Sequence, residues 1–463
     1  MTQPLFTLDA ILEATGGTAS GVSAEAINSI SIDSRELGPD ALFVAIKGDR
    51  FDGHDFVDTA LANGAVAALV SRGEGPNRIT VPDALGGLVD LAKASRARNR
   101  GLIIGVTGSV GKTTTKEALR TVFEAAGETH ASIKSFNNHW GVPLMLARMP
   151  ETAQFGVFEM GMNAPDEIRP LSQLVRPHIA VITTIAPAHL EKLGSLEAIA
   201  RAKAEIFEGL EPGGTAVINA DHPQIALLLE AAQAAGVGRV VTFGFSRGVD
   251  WQIIDPETAG DLSFATVVNG DKRYSLAIGV AGRHMLSNAT AALVVATLAG
   301  IDPEIALRAL AGLGPQPGRG QRIILGPSEK PLLLIDESYN ANTASMSAAL
   351  EVFGSVSAPD GKKFVILGDM LELGDAGPEL HASLADAVRE SGADAAYLVG
   401  DNMARLGEAL GGGAFPRHFT SVDEALPEVL ATLAYGDAVM VKGSNGVGLS
   451  KLVAAIKDKF QQR

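Results

Sequence analysis

The stretch of residues 107–113, which reads Thr-Gly-Ser-Val-Gly-Lys-Thr, most constrains the fold of this 463-residue chain. It follows an apolar run at 102–106 that is typical of a buried strand, and a helical pattern of apolar residues comes after it. Strand, glycine loop, Lys-Thr and helix in this order predict a phosphate-binding loop. The strict spacing requires a glycine where the chain has Val106, and the nearest one is Gly105. An ordinary glycine turn before a helix is the alternative interpretation.

The chemistry of such a loop is that of a nucleotide site. Glycines let backbone N–H groups point at phosphate oxygens, and the positive end of the following helix favours the anion. Lys112 would reach the β- and γ-phosphates, and the hydroxyl of Thr113 would hold Mg²⁺. The loop therefore predicts that the protein uses ATP. The residues predicted to contact ATP here are Thr107, Gly108, Ser109, Val110, Gly111, Lys112, Thr113 and Thr114.

Length and composition exclude several other classes of protein. The chain is too long for a single core, and its hydrophobic content of 46% is that of an ordinary globular protein. A net charge of −15 opposes general affinity for nucleic acid. No apolar run reaches the roughly 18 residues of a membrane span, and the first residues lack a secretory pattern. The absence of cysteine excludes disulfides and thiolate sites. We expect a cytoplasmic protein that neither inserts into membranes nor binds nucleic acid.

The pattern of strands and helices predicts an α/β fold with three domains. Residues 1–99 contain strand patterns at 41–46 and 67–70 around a helical pattern at 54–63, which predicts a small N-terminal α/β domain. Residues 100–314 alternate strands with helices, which predicts a central P-loop-type domain with a mainly parallel sheet.

A glycine- and proline-rich stretch at 312–320 marks the second boundary and a possible hinge. The domain predicted beyond it, at 315–463, has polar residues after each of its strand patterns, which favours a doubly wound, Rossmann-like sheet. These four strand patterns lie at 332–335, 364–367, 396–399 and 438–441.

Polar residues also follow strand patterns in the central section. Glu159 comes directly after the run at 155–158, and His189 follows the run at 179–185. Ligands of open α/β sheets bind beyond the carboxyl ends of the strands, so these side chains can meet Lys112 at one edge. Each alone is more often structural, but three beside a phosphate loop favour a site.

The helix predicted over residues 195–209 contains an unusual lysine. Lys203 occupies a position on the buried stripe where an apolar residue is expected. It could extend outward to solvent, pair with an anion, or change its chemistry. Desolvation lowers the pKa of an amine, and a neutral amine can react with carbon dioxide. The resulting carbamate would be an anionic oxygen ligand suited to Mg²⁺.

Several motifs, taken together, resemble the Mur ligase family over nearly the whole chain. The loop at 105–113 matches the ATP loop of the family, including its displaced first glycine. The most specific match, at 336–342, is typical of the branch that adds D-alanyl-D-alanine. The other matching motifs are Asn137-Asn138 with Gly141-Val142-Pro143, Glu159-Met160-Gly161-Met162-Asn163, Ala188-His189-Leu190-Glu191, Ala202-Lys203-Ala204-Glu205-Ile206-Phe207, Gly282-Arg283-His284 with Asn288-Ala289, Gly368-Asp369-Met370-Leu371-Glu372-Leu373-Gly374, and Lys442-Gly443-Ser444.

The resemblance implies an ATP-dependent amide ligase that acts through an acyl phosphate. Its small-molecule substrates would be UDP-N-acetylmuramoyl-tripeptide and D-alanyl-D-alanine, and we expect a monomer. Lys112, His189 and Lys203 would be catalytic. Two Mg²⁺ ions are implied, one held by Thr113 and Glu159, the other by His189 and a carbamate on Lys203. The three domains would bind the UDP substrate, bind ATP, and supply the D-Ala-D-Ala pocket and close on ATP.

The resemblance also implies contacts for the rest of the substrates. Outside the loop, the implied ATP contacts are Asn288, Arg319 and either Asp336 or Glu337. Met285 and Glu337 depart from the usual family residues, which leaves the ribose contact open between the two carboxylates. The implied substrate contacts are Ser34, Arg35, Asn137, Asn138, Asn163, Tyr339, Asn340 and Asn342.

Two alternatives are the sister ligase that adds the third residue of the peptide and a folylpolyglutamate synthetase-like ligase. The last section lacks the Asp-Asn-Pro-Arg motif of that sister branch. An ATPase that only senses nucleotide is a more distant alternative.

Overall fold

The computed structural model describes residues 4–48, 51–134, 136–188, 190–358, 361–412 and 415–461. Its described strands form sheets of five, two, nine and six strands. The α/β fold and the parallel sheets expected from the sequence are confirmed. Within the described residues, no helix combines the length and the hydropathy that crossing a lipid bilayer requires.

The N-terminal section is a small sheet covered by helices. Its strands are β1 (Phe6–Thr7), β2 (Thr18–Ser20), β3 (Ala26–Ile27), β4 (Ser29–Ser31), β5 (Ala41–Val44), β6 (Ala65–Val70) and β7 (Arg78–Thr80). Its helices are α1 (Leu8–Thr15), α2 (Val57–Ala62) and α3 (Ala84–Arg98). The five-stranded sheet has the order β2-β7-β6-β5-β4, in which β4 to β7 are parallel and β2 is antiparallel. Both predicted strands are present, and the predicted helix begins as a 3-10 turn at Gly53–Phe56.

The central section is built on the nine-stranded sheet. Its strands are β8 (Leu102–Thr107), β9 (Thr129–Ala131), β10 (Phe155–Glu159), β11 (Ile179–Ile182), β12 (Thr215–Asn219), β13 (Arg239–Gly244), β14 (Trp251–Ala259), β15 (Leu262–Asn269) and β16 (Lys272–Ile278). Its helices are α4 (Lys112–Glu124), α5 (Gly141–Ala147), α6 (Ile168–Val175), α7 (Leu190–Leu193), α8 (Leu196–Ala204), α9 (Ile225–Ala234), α10 (Arg283–Leu298) and α11 (Pro303–Ala311).

The order of this sheet is β16-β15-β14-β13-β12-β11-β8-β10-β9. Strands β8 to β14 are parallel, and β14, β15 and β16 continue the sheet as antiparallel hairpins that the sequence analysis did not predict. The chain leaves β8 toward β9 on one side, whereas β11 pairs with β8 on the other. The phosphate loop therefore lies at a switch point, where open α/β sheets bind ligands.

The prediction of one continuous helix over residues 195–209 is wrong at its C-terminal end. The α-helix stops at Ala204, and Glu205–Gly209 continues as a 3-10 helix. The hydroxyl of Ser172 on α6 donates to the carbonyl of Ile206 at 2.6 Å, and the Glu205 carboxylate accepts N–H groups at the start of α6. Contacts with another helix thus favour the tighter turn over continued α-helix.

The C-terminal section is a doubly wound sheet. Its strands are β17 (Gln321–Leu325), β18 (Leu332–Glu337), β19 (Lys363–Gly368), β20 (Ala395–Val399), β21 (Pro416–Phe419) and β22 (Ala438–Lys442). Its helices are α12 (Thr343–Gly354), α13 (Gly377–Ala382), α14 (Ala385–Glu390), α15 (Met403–Ala409), α16 (Val422–Thr432) and α17 (Ser450–Gln461).

The four predicted strands are present as β18, β19, β20 and β22. The strand order of the sheet is β17-β18-β22-β19-β20-β21, and among these strands β17 alone is antiparallel. Separate apolar cores lie on the two faces of this sheet, which is the layered arrangement of a doubly wound domain. The division of the chain into domains at residues 100 and 315 stays a prediction.

Candidate active site

The phosphate loop connects β8 to α4 and uses glycine where no side chain fits. Gly108 and Gly111 have φ of +150° and +85°, a region that L side chains rarely adopt. A Cβ on Gly108 would overlap the hydroxyl of Thr183, and one on Gly111 would overlap the amide oxygen of Asn288. Gly105 lies inside β8, so the loop itself begins after Thr107. Because these glycines have no side chains, the loop packs closely against Thr183 and Asn288, and Gly111 lines the cavity above the sheet.

Lys112 is the first residue of α4, and its ammonium folds back over the loop. Nζ donates to the carbonyl of Gly108 at 2.7 Å. Burial lowers the pKa of Lys112, the charge of Arg319 lowers it further, and Glu159 opposes the shift. A cation in this environment is stabilised by an arriving anion, as a phosphate-binding lysine requires.

Glu159 lies at the carboxyl end of β10, buried, and two side chains bind its carboxylate. Thr113 donates from Oγ1 to Oε2 at 2.9 Å, and Asn137 donates from Nδ2 to Oε1 at 2.8 Å. No group of three or more His, Asp or Glu side chains suited to a metal occurs in the described part of the chain. One carboxylate with one hydroxyl is nonetheless the donor set that Mg²⁺ uses when water and phosphate complete its shell. The residues present therefore fit Mg²⁺.

Lys203 lies on α8 and is only 1% exposed. Burial lowers its pKa well below the ordinary value, nearby Lys112 lowers it further, and Glu205 raises it. Lys203 is not among the residues that line the cavity described in the next paragraph. Extension to solvent, the first of the three alternatives for this lysine, is excluded by this burial. His189, the other residue predicted to act with it, lies outside the described residues.

A cavity of about 600 Å³ opens between the central and C-terminal sections, above the phosphate loop. It brings most of the predicted site residues together on its walls. From the central section these are Ser109, Val110, Gly111, Lys112, Thr113, Thr114, Asn137, Glu159, Asn163 and Asn288. From the C-terminal section they are Arg319, Glu337, Tyr339, Asn340 and Asn342.

The C-terminal wall follows β18 and carries polar groups at its end. The guanidinium of Arg319 lies 4.3 Å from the ring centre of Tyr339. Lys442, at the end of the neighbouring strand, donates to Glu337 at 3.3 Å and to the carbonyl of Asn340 at 3.1 Å. Asn342 accepts from the N–H of Ser345 and so begins α12. This wall therefore combines two cations, a carboxylate and amide groups.

Three predicted residues take structural roles beside the cavity. Thr107 is buried, donates from Oγ1 to the carbonyl of Met160 at 2.8 Å, and does not line the cavity. Asp336 turns away from it, because its carboxylate accepts both the N–H and the hydroxyl of Ser338. The sequence analysis left the ribose contact open between Asp336 and Glu337. Of these two residues, only Glu337 lines the cavity. Asn138 accepts from the N–H of Gly141 at the start of α5 and does not line the cavity.

Ser34 and Arg35 do not lie at this cavity. They follow β4 at the carboxyl edge of the N-terminal sheet. Both oxygens of Asp33 accept from the exposed Arg35 side chain, at 2.9 and 2.8 Å. This pairing lowers the pKa of Asp33 to about 2. Ser34 is buried, and its carbonyl accepts from the amide of Asn63.

The cavity also contains residues that the sequence analysis missed. Asn219 ends β12, Asp221 follows it, and Phe245 follows β13. Asp221 accepts N–H groups of Phe245 and Ser246, each at 2.8 Å, and so holds the two strand ends together. The rule that ligands bind beyond strand ends, applied to these two strands as well, would have found them.

Comparison with known proteins places this geometry in context. Three family models match: the Mur ligase family catalytic domain over residues 26–86, the middle domain over 106–296, and the glutamate ligase domain over 318–445. The chain is 35% identical to the UDP-N-acetylmuramoyl-tripeptide–D-alanyl-D-alanine ligase of Bacillus subtilis, over 96% of this chain and 97% of that protein.

Two solved structures are similar over nearly their full length. A crystal structure of MurF from Acinetobacter baumannii has a TM-score of 0.84 at 31% identity, covering 98% of this chain and 99% of that one. A structure of MurF ligase from Thermotoga maritima in complex with ADP has a TM-score of 0.77 at 26% identity, covering 93% and 97%.

Proposed function

The chain belongs to the Mur ligase family, and we propose that it joins D-alanyl-D-alanine to UDP-N-acetylmuramoyl-tripeptide at the expense of ATP. The product would be the UDP-N-acetylmuramoyl-pentapeptide used in peptidoglycan synthesis. The observation that carries this proposal is that the phosphate loop, the Thr113–Glu159 pair and the wall after β18 all line the same cavity. The sister ligase and the folylpolyglutamate synthetase-like ligase are not favoured, because the full-length relatives are named for the D-alanyl-D-alanine reaction.

The reaction needs the tripeptide carboxylate to gain a leaving group. The γ-phosphoryl group of ATP passes to a carboxylate oxygen, which gives an acyl phosphate and ADP. The amine of D-alanyl-D-alanine then attacks the acyl carbon. A new C–N bond forms, the C–O bond to phosphate breaks, and the nitrogen releases a proton. Catalysis of such a transfer is mainly positioning and charge neutralisation.

The loop residues and Lys112 would bind the phosphates of ATP. Thr113 and Glu159 would hold a Mg²⁺ ion, which supplies charge neutralisation at the β- and γ-phosphates when bound. Asn288 would contact the adenine, Arg319 the phosphates, and Glu337 rather than Asp336 the ribose. The orientation of the two carboxylates supports this last choice.

The burial of Lys203 supports its reaction with carbon dioxide. A neutral amine attacks the carbon of CO₂, and loss of a proton leaves a carbamate. We propose that this carbamate and His189 hold a second Mg²⁺ near the acceptor carboxylate. Lys112, His189 and Lys203 would then be the catalytic residues.

The remaining residues would bind the muramoyl peptide, which carries the reacting carboxylate, and the dipeptide, which carries the reacting amine. Asn137, Asn138 and Asn163 would position the muramoyl peptide, with Asn138 acting through the start of α5. Tyr339, Asn340 and Asn342 would form the dipeptide pocket. Ser34 and Arg35 would hold the distant UDP end, since Arg35 is exposed and can grip phosphate oxygens in place of Asp33.

The domain roles follow from these contacts. Residues 1–99 would bind the UDP end, 100–314 would bind ATP, and 315–463 would bind the dipeptide and close over ATP. We also propose that the protein is a monomer. We also propose that the protein works in the cytoplasm, where ATP is available.

The decisive experiment measures phosphate release with ATP and UDP-N-acetylmuramoyl-tripeptide, with and without D-alanyl-D-alanine. We expect release to require both substrates, with the pentapeptide detected by mass spectrometry. Release that ignores D-alanyl-D-alanine but responds to meso-diaminopimelate or glutamate would reject the proposed acceptor and keep the ligase class. ATP turnover that needs no carboxylate substrate would reject the ligase itself.

A further inference from the structure

A second buried lysine lies one turn after Lys112 on α4, and the mechanism above does not use it. Lys116 has 0% relative exposure. It does not line the cavity, so it cannot contact a nucleotide there. Fully buried lysines are rare, because the desolvated ammonium must find anionic or carbonyl partners.

The partners of Lys116 connect two elements of the site. Its Nζ donates to the carbonyl of Ser132 at 2.7 Å and pairs with Oε1 of Glu117 at 2.6 Å. Glu117 is on α4 itself and also binds Arg120, at 2.7 Å. Ser132, by contrast, follows β9 at the far edge of the nine-stranded sheet. The ammonium therefore ties the helix of the phosphate loop to the chain that leaves β9.

Ser132 in turn contacts the strand that carries the predicted magnesium carboxylate. Its N–H donates to the carbonyl of Val157 at 2.9 Å, and its hydroxyl accepts from the N–H of Glu159 at 3.4 Å. Five residues later, Asn137 donates to the Glu159 carboxylate. Both the backbone and the side chain of Glu159 are thus bound by the stretch that Lys116 anchors.

We propose that Lys116 is a positioning residue for the magnesium site, which acts through Ser132 to set Glu159 against Thr113. Thr113 and Lys116 are both on α4, and each reaches β10, one directly at 2.9 Å and the other through Ser132. Mg²⁺ demands near-ideal octahedral geometry at about 2.0–2.1 Å, so a small displacement of Glu159 weakens binding. The inference rests on the magnesium-dependent nucleotide binding of the proposed function and not on its acceptor amine.

The test measures ADP binding by calorimetry across a range of Mg²⁺ concentrations. In Lys116→Met, which keeps most of the length of the side chain and removes the charge, we expect half-maximal binding to need about tenfold more Mg²⁺, as for other residues that support a metal ligand. Affinity for ADP without Mg²⁺ should stay unchanged. Arg120→Met is the matched control, because it removes the other cation on Glu117 without touching Ser132, and it should behave as wild type.

A second variant keeps the test decisive if Lys116→Met fails to fold. Ser132→Ala retains the carbonyl that Lys116 binds and removes the acceptor for the N–H of Glu159. We expect about a threefold higher Mg²⁺ requirement, the effect of one weak hydrogen bond. Wild-type magnesium dependence in Ser132→Ala would overturn the proposal, as would an equal shift in Arg120→Met.

A merely structural role gives a different pattern. It would lower the thermal midpoint of Lys116→Met and leave the Mg²⁺ dependence of its folded fraction unchanged, which would also overturn the proposal. Since ADP binding needs neither amine nor muramoyl peptide, failure of the acceptor assignment would leave these measurements unaffected.

Discussion

The central cavity and the edge of the N-terminal sheet both gather polar side chains beyond parallel strands, but they pair them differently. In the cavity, Thr113 binds Glu159 from 46 residues away, and Lys442 binds Glu337 from 105 residues away. At the N-terminal edge, Arg35 pairs with Asp33, its neighbour but one in the chain. Long-range pairs exist only when the sheets and the adjacent domain are assembled. The cavity is thus a product of the whole fold, whereas Arg35 and Asp33 pair within three residues of chain.

A second network at the N-terminal edge joins residues that are 2 to 20 positions apart in the chain. The ring of His54 contacts Asp52 at 2.6 Å and accepts from the N–H of Ser71 at 3.0 Å. Arg72 binds the other oxygen of Asp52 at 2.9 Å. His54 and Arg72 hold the pKa of Asp52 well below its usual range. These groups are satisfied without a ligand, which is compatible with the UDP-binding role that we propose for this edge.

The largest effect is expected from substitution of Lys203, which should impair catalysis in the central section. Lys203→Ala should lower turnover about 10²–10³-fold, the loss typical of removing one stabilising group from an active site, with ADP binding retained. A short carboxylic acid that fills the space should restore part of the activity if a carbamate is the active form. The assay is ligation rate with and without added acetate or propionate. Lys192→Ala, at an exposed lysine on α7, is the control.

Two results would count against this account of Lys203. Turnover near that of wild type would exclude a catalytic role. Loss of activity together with loss of ADP binding would mean that the lysine supports the phosphate loop instead.

The next effect concerns the N-terminal edge. Arg35→Ala should raise KM for UDP-N-acetylmuramoyl-tripeptide about tenfold and change kcat little, because the lost contact is far from the reacting atoms and binds ground and transition states alike. Steady-state kinetics with the tripeptide substrate varied gives both constants. Arg239→Ala, an exposed arginine at the start of β13, should leave both unchanged. A fall in kcat with constant KM would remove the distinction between the two regions.

Much of this molecule follows from its sequence, for reasons visible in particular elements. Buried parallel strands such as β8 and β18 are short apolar runs, and polar residues at their ends predict the site edge. The hairpins of β14, β15 and β16 were missed because they extend a sheet whose parallel part already explains the alternating pattern. The break after Ala204 depends on Ser172 and α6, which no local pattern reveals.

The limits of prediction in the site are also physical. Asp336 and Glu337 are adjacent and chemically alike, and the N–H and hydroxyl of Ser338 hold Asp336 away from the cavity. The sequence places Lys116 on a helix but does not reveal its carbonyl partner, Ser132, 16 residues further on. In both cases the orientation of the side chain depends on a hydrogen-bond partner that cannot be identified from the sequence pattern.

The last prediction compares the acid stability of the two regions. Burial lowers the pKa of His130, whose ring donates to the carbonyl of Met145, to about 4. An unfolded histidine protonates near pH 6.5, so the folded state should lose up to about 3 kcal/mol between pH 6.5 and 4. Asp33, by contrast, contributes stability above pH 3.8 that is lost only as the pH falls toward 2. Acid should therefore weaken the central section first.

Urea midpoints of wild type and His130→Gln at pH 7 and 4.5 test this, since glutamine keeps a donor and does not titrate. Equal pH dependence in the two proteins would contradict the assignment to His130.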